Sequence, residues 1–254
     1  MVEVDELLNL SKLVATQAGL RLLDSFNPNH KCYVHSLTHP REVKAIADTV
    51  LEKEILDALI PTGLTVLSEE SGYIFGHQKS KYWFVIDPLD GTFNFVKGLG
   101  PSAVSIALWE GQRPVFGVIY SILERQLFWG GDGIGAYCDG QGISVSGTSD
   151  KAEASICTGF PVRFNMANDL AMQNFWRMVS SFAKVRMLGA AAVSLLHVAK
   201  GSTDVYSEQN IMLWDVAAGI AIVEGAGGCV HFSPGVEEYS LNVYASNRFL
   251  CESD

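Results

Sequence analysis

Asp87 and Asp90 carry the clearest chemical signal in the chain: two carboxylates three residues apart in Trp83-Phe84-Val85-Ile86-Asp87-Pro88-Leu89-Asp90-Gly91-Thr92, where an apolar, strand-like run ends. Residues three apart on a regular strand face opposite sides. For both acids to converge, Pro88 is therefore expected to stop the strand and bend the chain, presenting Asp87, the Leu89 carbonyl and Asp90 to one point. Such hard oxygens suit Mg²⁺, which favours carboxylates, waters and substrate phosphate oxygens. Asp, Pro and Gly also form ordinary Asx-type turns. A chance occurrence of Asp-Pro-x-Asp-Gly-Thr is on the order of one in ten thousand at average residue usage, which favours the chemical reading.

Two other segments place acids at the ends of predicted elements. Leu67-Ser68-Glu69-Glu70-Ser71-Gly72 closes a strand-like run with adjacent glutamates, of which at most one aims into a site because neighbours on a strand point apart. Trp214-Asp215-Val216-Ala217-Ala218-Gly219 opens an apolar helix, where an acid alone is an ordinary cap. Taken together, the three segments put carboxylates where α/β folds assemble ligand sites from distant parts of the chain.

The elements that must position these groups follow from periodicity. Helical spacing predicts helices over 4–25, 41–60, 168–181, 190–200 and 214–226. Short β-branched or aromatic runs predict strands at 64–67, 82–86, 103–108, 115–120, 127–129, 156–158 and 185–187. Trp109, Tyr120, Phe128 and Trp129 sit on strand patterns and are expected to fill the core or a dimer face. A turn-rich stretch at 140–155 marks a seam between an N-terminal half, 1–145, carrying the acidic motifs, and a C-terminal half, 146–254, completing the site, the two packed as one body. Gly130–Gly135 (GGDGIG) is a poor dinucleotide fingerprint, because no helical pattern opens there.

Composition narrows the class of function. Of 254 residues, 48% are hydrophobic and 18% charged, enough apolar side chain for a packed core. With 18 Lys+Arg against 28 Asp+Glu the formal charge is -10, which repels polyphosphate backbones and argues against nucleic acid as a partner. Cys32, Cys138, Cys157, Cys229 and Cys251 form an odd, scattered set without a CxxC pair, so neither a disulfide framework nor a zinc site is expected, and a reducing cytoplasm is the simplest home. The acidic start and the lack of a long uninterrupted apolar run predict neither a signal peptide nor a membrane span. His30, His35 and His39 are irregularly spaced in a polar loop and read as solvated.

From the second helix to about residue 247, the chain resembles the inositol monophosphatase family of Mg²⁺-dependent, lithium-sensitive phosphatases. The resemblance rests on Glu69-Glu70-Ser71, on Asp87-Pro88-Leu89-Asp90-Gly91-Thr92, and on Trp214-Asp215-Val216-Ala217-Ala218-Gly219 followed by Glu224-Gly225-Ala226-Gly227-Gly228, in family order. Haloacid dehalogenase-type phosphatases, by contrast, carry Asp-x-Asp-Gly-Thr, with the acids two apart. The resemblance implies an α/β fold, a layered α-β-α-β-α sandwich of the sugar-phosphatase type, and a homodimer. It implies two or three Mg²⁺ ions: Glu70, Asp87 and the Leu89 carbonyl holding one, Asp87, Asp90 and Asp215 a second, and Glu70 helping to place a third. Thr92, with Asp48 from the second helix, would orient and deprotonate the attacking water, and Glu70 shares the catalytic role. Gly91 and Thr92 would offer backbone N–H groups to the phosphate. Gly189, Ala190, Ala191 and Glu208 would line the sugar pocket with Asp90 and Asp215, Glu208 accepting from a substrate hydroxyl.

Departures from the family pattern are Ala190, where a hydroxyl residue often stands, Phe93, where a second Thr is common, and the loop Lys31–His39, which lacks the usual approach to Asp48. The implied activity is hydrolysis of a small polyol phosphate, inositol monophosphate first, by Mg²⁺-activated water. The rivals are a 3′-phosphoadenosine 5′-phosphate phosphatase, fructose-bisphosphatase or histidinol-phosphatase activity, and, from another class, a regulatory protein that binds without turnover. Every acid expected of the metal site is present, which speaks against a decayed enzyme.

Overall fold

The computed structural model describes residues 3–25, 33–35, 43–160 and 169–251. Apolar residues at helical spacing form α1 (Val4–Ser25), which buries Leu7, Val14, Ala18 and Leu22. A ribbon of β1 (Tyr33–His35) and β2 (Val43–Ala45) then leads into α2 (Ile46–Leu59). The helix predicted from residue 41 thus starts later, because Val43–Ala45 pair with β1 instead of extending it.

An eight-stranded sheet comprises β3 (Thr65–Ser68), β4 (Gly72–Ile74), β5 (Tyr82–Asp90), β6 (Ala103–Glu110), β7 (Arg113–Ser121), β8 (Gln126–Gly131), β9 (Gly135–Cys138) and β10 (Gln141–Gly142). Its order is β10-β9-β8-β7-β6-β5-β3-β4, antiparallel except where β3 runs beside β5, and the short α3 (Thr92–Lys97) follows β5. The glycine-rich 130–135 stretch is the tight β8–β9 connection. A five-stranded sheet in the order β12-β11-β13-β15-β14 is built from β11 (Ser155–Cys157), β12 (Lys184–Arg186), β13 (Val205–Met212), β14 (Cys229–Pro234) and β15 (Ser240–Ser246). Between its strands come α4 (Asp169–Ser180), α5 (Ala191–Ala199) and α6 (Leu213–Gly225).

The layers are α1/α2, sheet, α5/α6, sheet and α4, giving the α-β-α-β-α sandwich of an α/β fold. One apolar cluster joins α1 and α2 to a face of the first sheet, and a second fills the space from its other face through α5 and α6 to the second sheet. Trp109, Tyr120 and Phe128 are buried in these clusters, while half-buried Trp129 stacks on Tyr137. An α6 apolar all round is the sequence signature of a helix sandwiched between sheets. Its close approach to β7 depends on Gly117, where a Cβ would overlap the Ala218 carbonyl. Gly117→Ala is expected to destabilise the fold by about 1–3 kcal/mol or more, and to weaken activity because α6 carries Asp215. A melting temperature within 1–2 °C of wild type would show that the contact is slack.

The strands missed from sequence are mostly short, edge or polar-patterned. In β13, VYSEQNIM interrupts its apolar run with Ser207-Glu208-Gln209-Asn210, and a register irregularity lies between Glu208 and Ile211. The 140–155 stretch is tied to the body: Val145 N donates to the Ala226 carbonyl and Ser146 Oγ to Asp204 Oδ1 at 2.6 Å.

Candidate active site

Pro88 does not stop β5; the strand continues through it to Asp90. What brings the acids together is a bulge. Asp87 lies opposite Ser105 and Asp90 opposite Ala103, so β5 fits two residues, Pro88 and Leu89, where β6 has only Val104. Ser105 and Ala103 share a face of β6, and their partners therefore share a face too. The two acids thus share a face, as the bend at Pro88 was expected to arrange, but the bulge is the cause. The Asx-type turn is present as well, since Leu89 N donates to Asp87 Oδ1 at 2.9 Å.

Of the adjacent glutamates, Glu69 joins the cluster, not Glu70. Strands β3 and β5 are parallel with Ser68 beside Ile86, and Glu69 N continues the ladder to the Ile86 carbonyl at 3.3 Å. One step further along this register, Glu69 falls beside Asp87 on the same face, and Glu70 follows it in the turn. Carboxylate oxygens of Glu69, Asp87 and Asp215 all lie within 4.8 Å of one another. The acid of this pair that stands with Asp87 and Asp215 is therefore Glu69, where the sequence reading had put Glu70. Glu52 of α2, unremarked in the sequence, clamps this turn: it accepts from Ser68 Oγ, from Ser71 N at 2.9 Å and from Ser71 Oγ at 2.8 Å. Its place four residues after Asp48, on the same helix face, was the available signal.

Asp215 projects from the first turn of α6, whose start is fixed by Leu213 N donating to the Tyr239 carbonyl at 2.8 Å. Asp90 accepts from the backbone N–H groups of Ala191 (3.2 Å) and Ala192 (2.8 Å), so this acid also caps α5. Gly189, at φ 71°, and Ala190 lead into that helix, and a Cβ on Gly91 would crowd the Pro101 carbonyl and Ala190. Asn94 of α3 secures the same wall by donating to the carbonyls of Leu188 (2.7 Å) and Pro101 (2.9 Å); nothing in the sequence had singled it out.

Thr92 Oγ1 lies 3.2 Å from Asp48 Oδ1 and 2.9 Å from the Leu89 carbonyl, two acceptors for its single proton. Asp48 is 4% exposed, a buried carboxylate rather than a solvated helix acid. Glu208 lines a cavity of about 330 Å³ together with Asp90, Gly189, Ala190, Ala191 and Asp215, and accepts from Tyr206 Oη at 3.0 Å.

Electrostatics set this cluster apart from a structural ion-pair network. Burial, then the charges of neighbouring acids, pushes Glu69, Asp87 and Asp215 well above the usual carboxylate range. Burial takes Glu208 up to about 7; burial, helped by the charges of Glu69 and Glu208, takes Asp90 to about 7 against the opposing pull of the Ala192 and Ala191 N–H groups. Asp87 Oδ2 is buried with no hydrogen-bond partner. Like charges gathered in low dielectric, with an orphaned oxygen among them, fit a divalent cation of hard-oxygen preference. Among the described residues no basic side chain is hydrogen-bonded or ion-paired with these acids.

Residues 3–253 match the sequence model of the family described as the Inositol monophosphatase family. The chain belongs to the inositol monophosphatase family. It is 32% identical over 252 residues to the "Fructose-1,6-bisphosphatase/inositol-1-monophosphatase" of Aquifex aeolicus, covering 98% of this chain and 94% of that one. It is 40% identical over 168 residues to the "Nus factor SuhB" of Pasteurella multocida, a match spanning 65% of this chain and 62% of that protein's length. The crystal structure of extragenic suppressor protein suhB from Bartonella henselae superposes with a TM-score of 0.85 at 31% identity, covering 96% and 95% of the two chains. As a member of the inositol monophosphatase family, the chain is a phosphoric monoester hydrolase. None of its described helices is long and apolar enough to cross a membrane.

Other expectations meet the structure unevenly. His30, His39 and six of the nine residues of the Lys31–His39 loop lie outside the described residues; only Tyr33–His35 appear, as β1. The expectation of no disulfide is overturned: the chain's return after β15 brings Cys251 into bonding contact with Cys229, a pairing that their separation of 22 residues did not suggest.

Proposed function

We propose that this chain hydrolyses a small polyol phosphate, inositol monophosphate first, with Mg²⁺ held by Glu69, Asp87, the Leu89 carbonyl, Asp90 and Asp215. The observation that carries the substrate class is Glu208. It is half-buried and lines the same cavity as Asp90 and Asp215, with one protein donor on its carboxylate, where it could accept from a hydroxyl of the substrate. A cavity of about 330 Å³ suits one small ring with its phosphate.

Bound there, divalent cations would neutralise phosphate charge and make water a better nucleophile. The chain's own part is positioning and proton movement. Thr92 Oγ1, donating to Asp48 Oδ1, leaves its lone pairs to accept from a water in line with the phosphorus, and Asp48 takes the proton passed along this pair. Gly91 allows the close approach that the backbone N–H groups of Gly91 and Thr92 need to reach a phosphate oxygen. Glu208 and the α5 wall fix the alcohol, so that the ester oxygen leaves on the side away from the water.

The test is phosphate release with Mg²⁺ from inositol 1-phosphate, 3′-phosphoadenosine 5′-phosphate, fructose 1,6-bisphosphate and histidinol phosphate, with EDTA and lithium controls. Inositol 1-phosphate is expected to lead by tenfold or more, with the rate abolished by EDTA and inhibited by millimolar lithium. A lead by the nucleotide would assign the cavity to another alcohol, and silence on all four from folded protein would overturn the reading.

A further inference from the structure

Away from the acidic cluster, Cys229, His231 and Cys251 converge at the outer edge of the second sheet. Cys229 and His231 are two apart on edge strand β14 and share a face. Opposite His231 across the ladder is Tyr244 of β15, whose Oη donates to the Leu250 carbonyl at 2.9 Å. Asn247, fully buried, turns the chain after β15: its Oδ1 accepts from Phe249 N (2.9 Å) and Leu250 N (3.1 Å), and its Nδ2 donates to the Thr148 carbonyl at 2.9 Å. The tail is thereby folded back across the face that carries His231, and Cys251 arrives at Cys229 with a Cα–Cα distance of 5.8 Å, within the span that a disulfide bridges.

We propose that Cys229 and Cys251 form a reversible thiol–disulfide site served by His231. Three observations support it beyond proximity. Cys251 is exposed while Cys229 is half-buried, so an external reagent meets one defined sulfur. His231 Nε2 lies 3.3 Å from one sulfur and 3.2 Å from the other, so one imidazole takes or returns the proton of either thiol. The contacts at Asn247 and Tyr244 fold the tail without help from the sulfurs, so the pair can open while its partners stay in place.

The co-reactant is a low-molecular-weight disulfide. On oxidation, the Cys251 thiolate attacks that disulfide and expels one thiol; the Cys229 thiolate, its proton passed to His231, then attacks Cys251 Sγ and expels the second. Two protein thiols and one small disulfide give one protein disulfide and two small thiols. Reduction runs backwards, an external thiolate attacking exposed Cys251 and His231 reprotonating the departing Cys229. Cys138 and Cys157 are free and take no part.

Whole protein equilibrated in mixtures of reduced and oxidised glutathione should lose two hydrogens in intact mass, reversibly, with the linkage mapped to the peptides of Cys229 and Cys251. The oxidised form should melt roughly 5–10 °C higher, a difference absent in Cys251→Ser. His231→Gln should still form the bond but about tenfold more slowly at neutral pH. Because neither cysteine lines the cavity that holds Asp90, Glu208 and Asp215, Cys251→Ser should retain the phosphatase rate of the reduced wild type. The proposal is overturned if both thiols stay open to alkylation after oxidation, if Cys251 pairs with another cysteine, or if His231→Gln oxidises at the wild-type rate. It is also overturned if the reduced protein holds one Zn²⁺ per chain at these residues and resists oxidation, which would make the trio a soft-metal site.

Discussion

Asp87→Asn is expected to lower phosphate release by about 10³-fold or more while raising the melting temperature of the metal-free protein. The loss should exceed the 10–100-fold typical of residues that only support a metal ligand, because Asp87 is central to the cluster, in reach of both Glu69 and Asp215. The gain in stability has a separate cause. In metal-free protein Asp87 is a buried acid beside other acids, with one oxygen unpartnered, and the amide removes a charge that is costly to bury. An increase of about 3–6 °C would correspond to 1–2 kcal/mol in a chain of this size. Calorimetry in EDTA and initial rates in Mg²⁺ test the two halves separately. Near-wild-type turnover would remove Asp87 from the metal site, and a large fall in apo stability would mean that the carboxylate is paired in a way its geometry does not indicate.

The second large effect is on pH dependence. Unfolded carboxylates release their protons near pH 4, whereas burial holds Asp90 and Glu208 protonated up to about 7 and shifts Glu69, Asp87 and Asp215 in the same direction. Between those values the folded chain binds more protons than the unfolded one, so stability falls as pH rises. Asp204 acts oppositely: burial raises it, but donors from Ser146 and Ser155 outweigh that and hold it low, so its contribution is lost only in stronger acid. EDTA-treated protein should therefore melt at least about 5 °C higher at pH 5.5 than at pH 8. Mg²⁺ at 100 times its dissociation constant should return about 2.7 kcal/mol at pH 8 and much less at pH 5.5, where protons compete for the same oxygens. Melting curves in EDTA that are flat or rise over this window would refute the charge cluster, and an equal Mg²⁺ effect at both pH values would place the ion elsewhere.

Much of the fold was legible because its helices bury one face or all of themselves, and their spacing records it: α1, α5 and α6 lie within a residue or so of their predicted spans. The edge strands were not. β4 and β10 have three and two residues, too few for alternation to register, and β14 is half-exposed along its length. At the site, residue types announced Asp87, Asp90 and Asp215, but the choice between Glu69 and Glu70 depended on the register of β3 against β5, a pairing set by distant packing. Glu52 and Asn94 were illegible for a related reason: what they hold is main chain and a serine-bearing turn, partners that no sequence spacing names.

The bulge in β5 makes the site depend on counting. A substitution at Pro88 or Leu89 changes packing, but a one-residue deletion between Asp87 and Asp90 would restore a regular ladder: the two acids, now two apart, would still share a face, while the extra residue that places the Leu89 carbonyl within reach of Thr92 Oγ1 would be lost. A one-residue insertion would do comparable damage by shifting Gly91 and Thr92 away from Asp48. Length changes within 87–92 are thus expected to be costly, and a related chain with changed spacing there would have to hold Thr92 and its acceptors in some other way, however similar its composition.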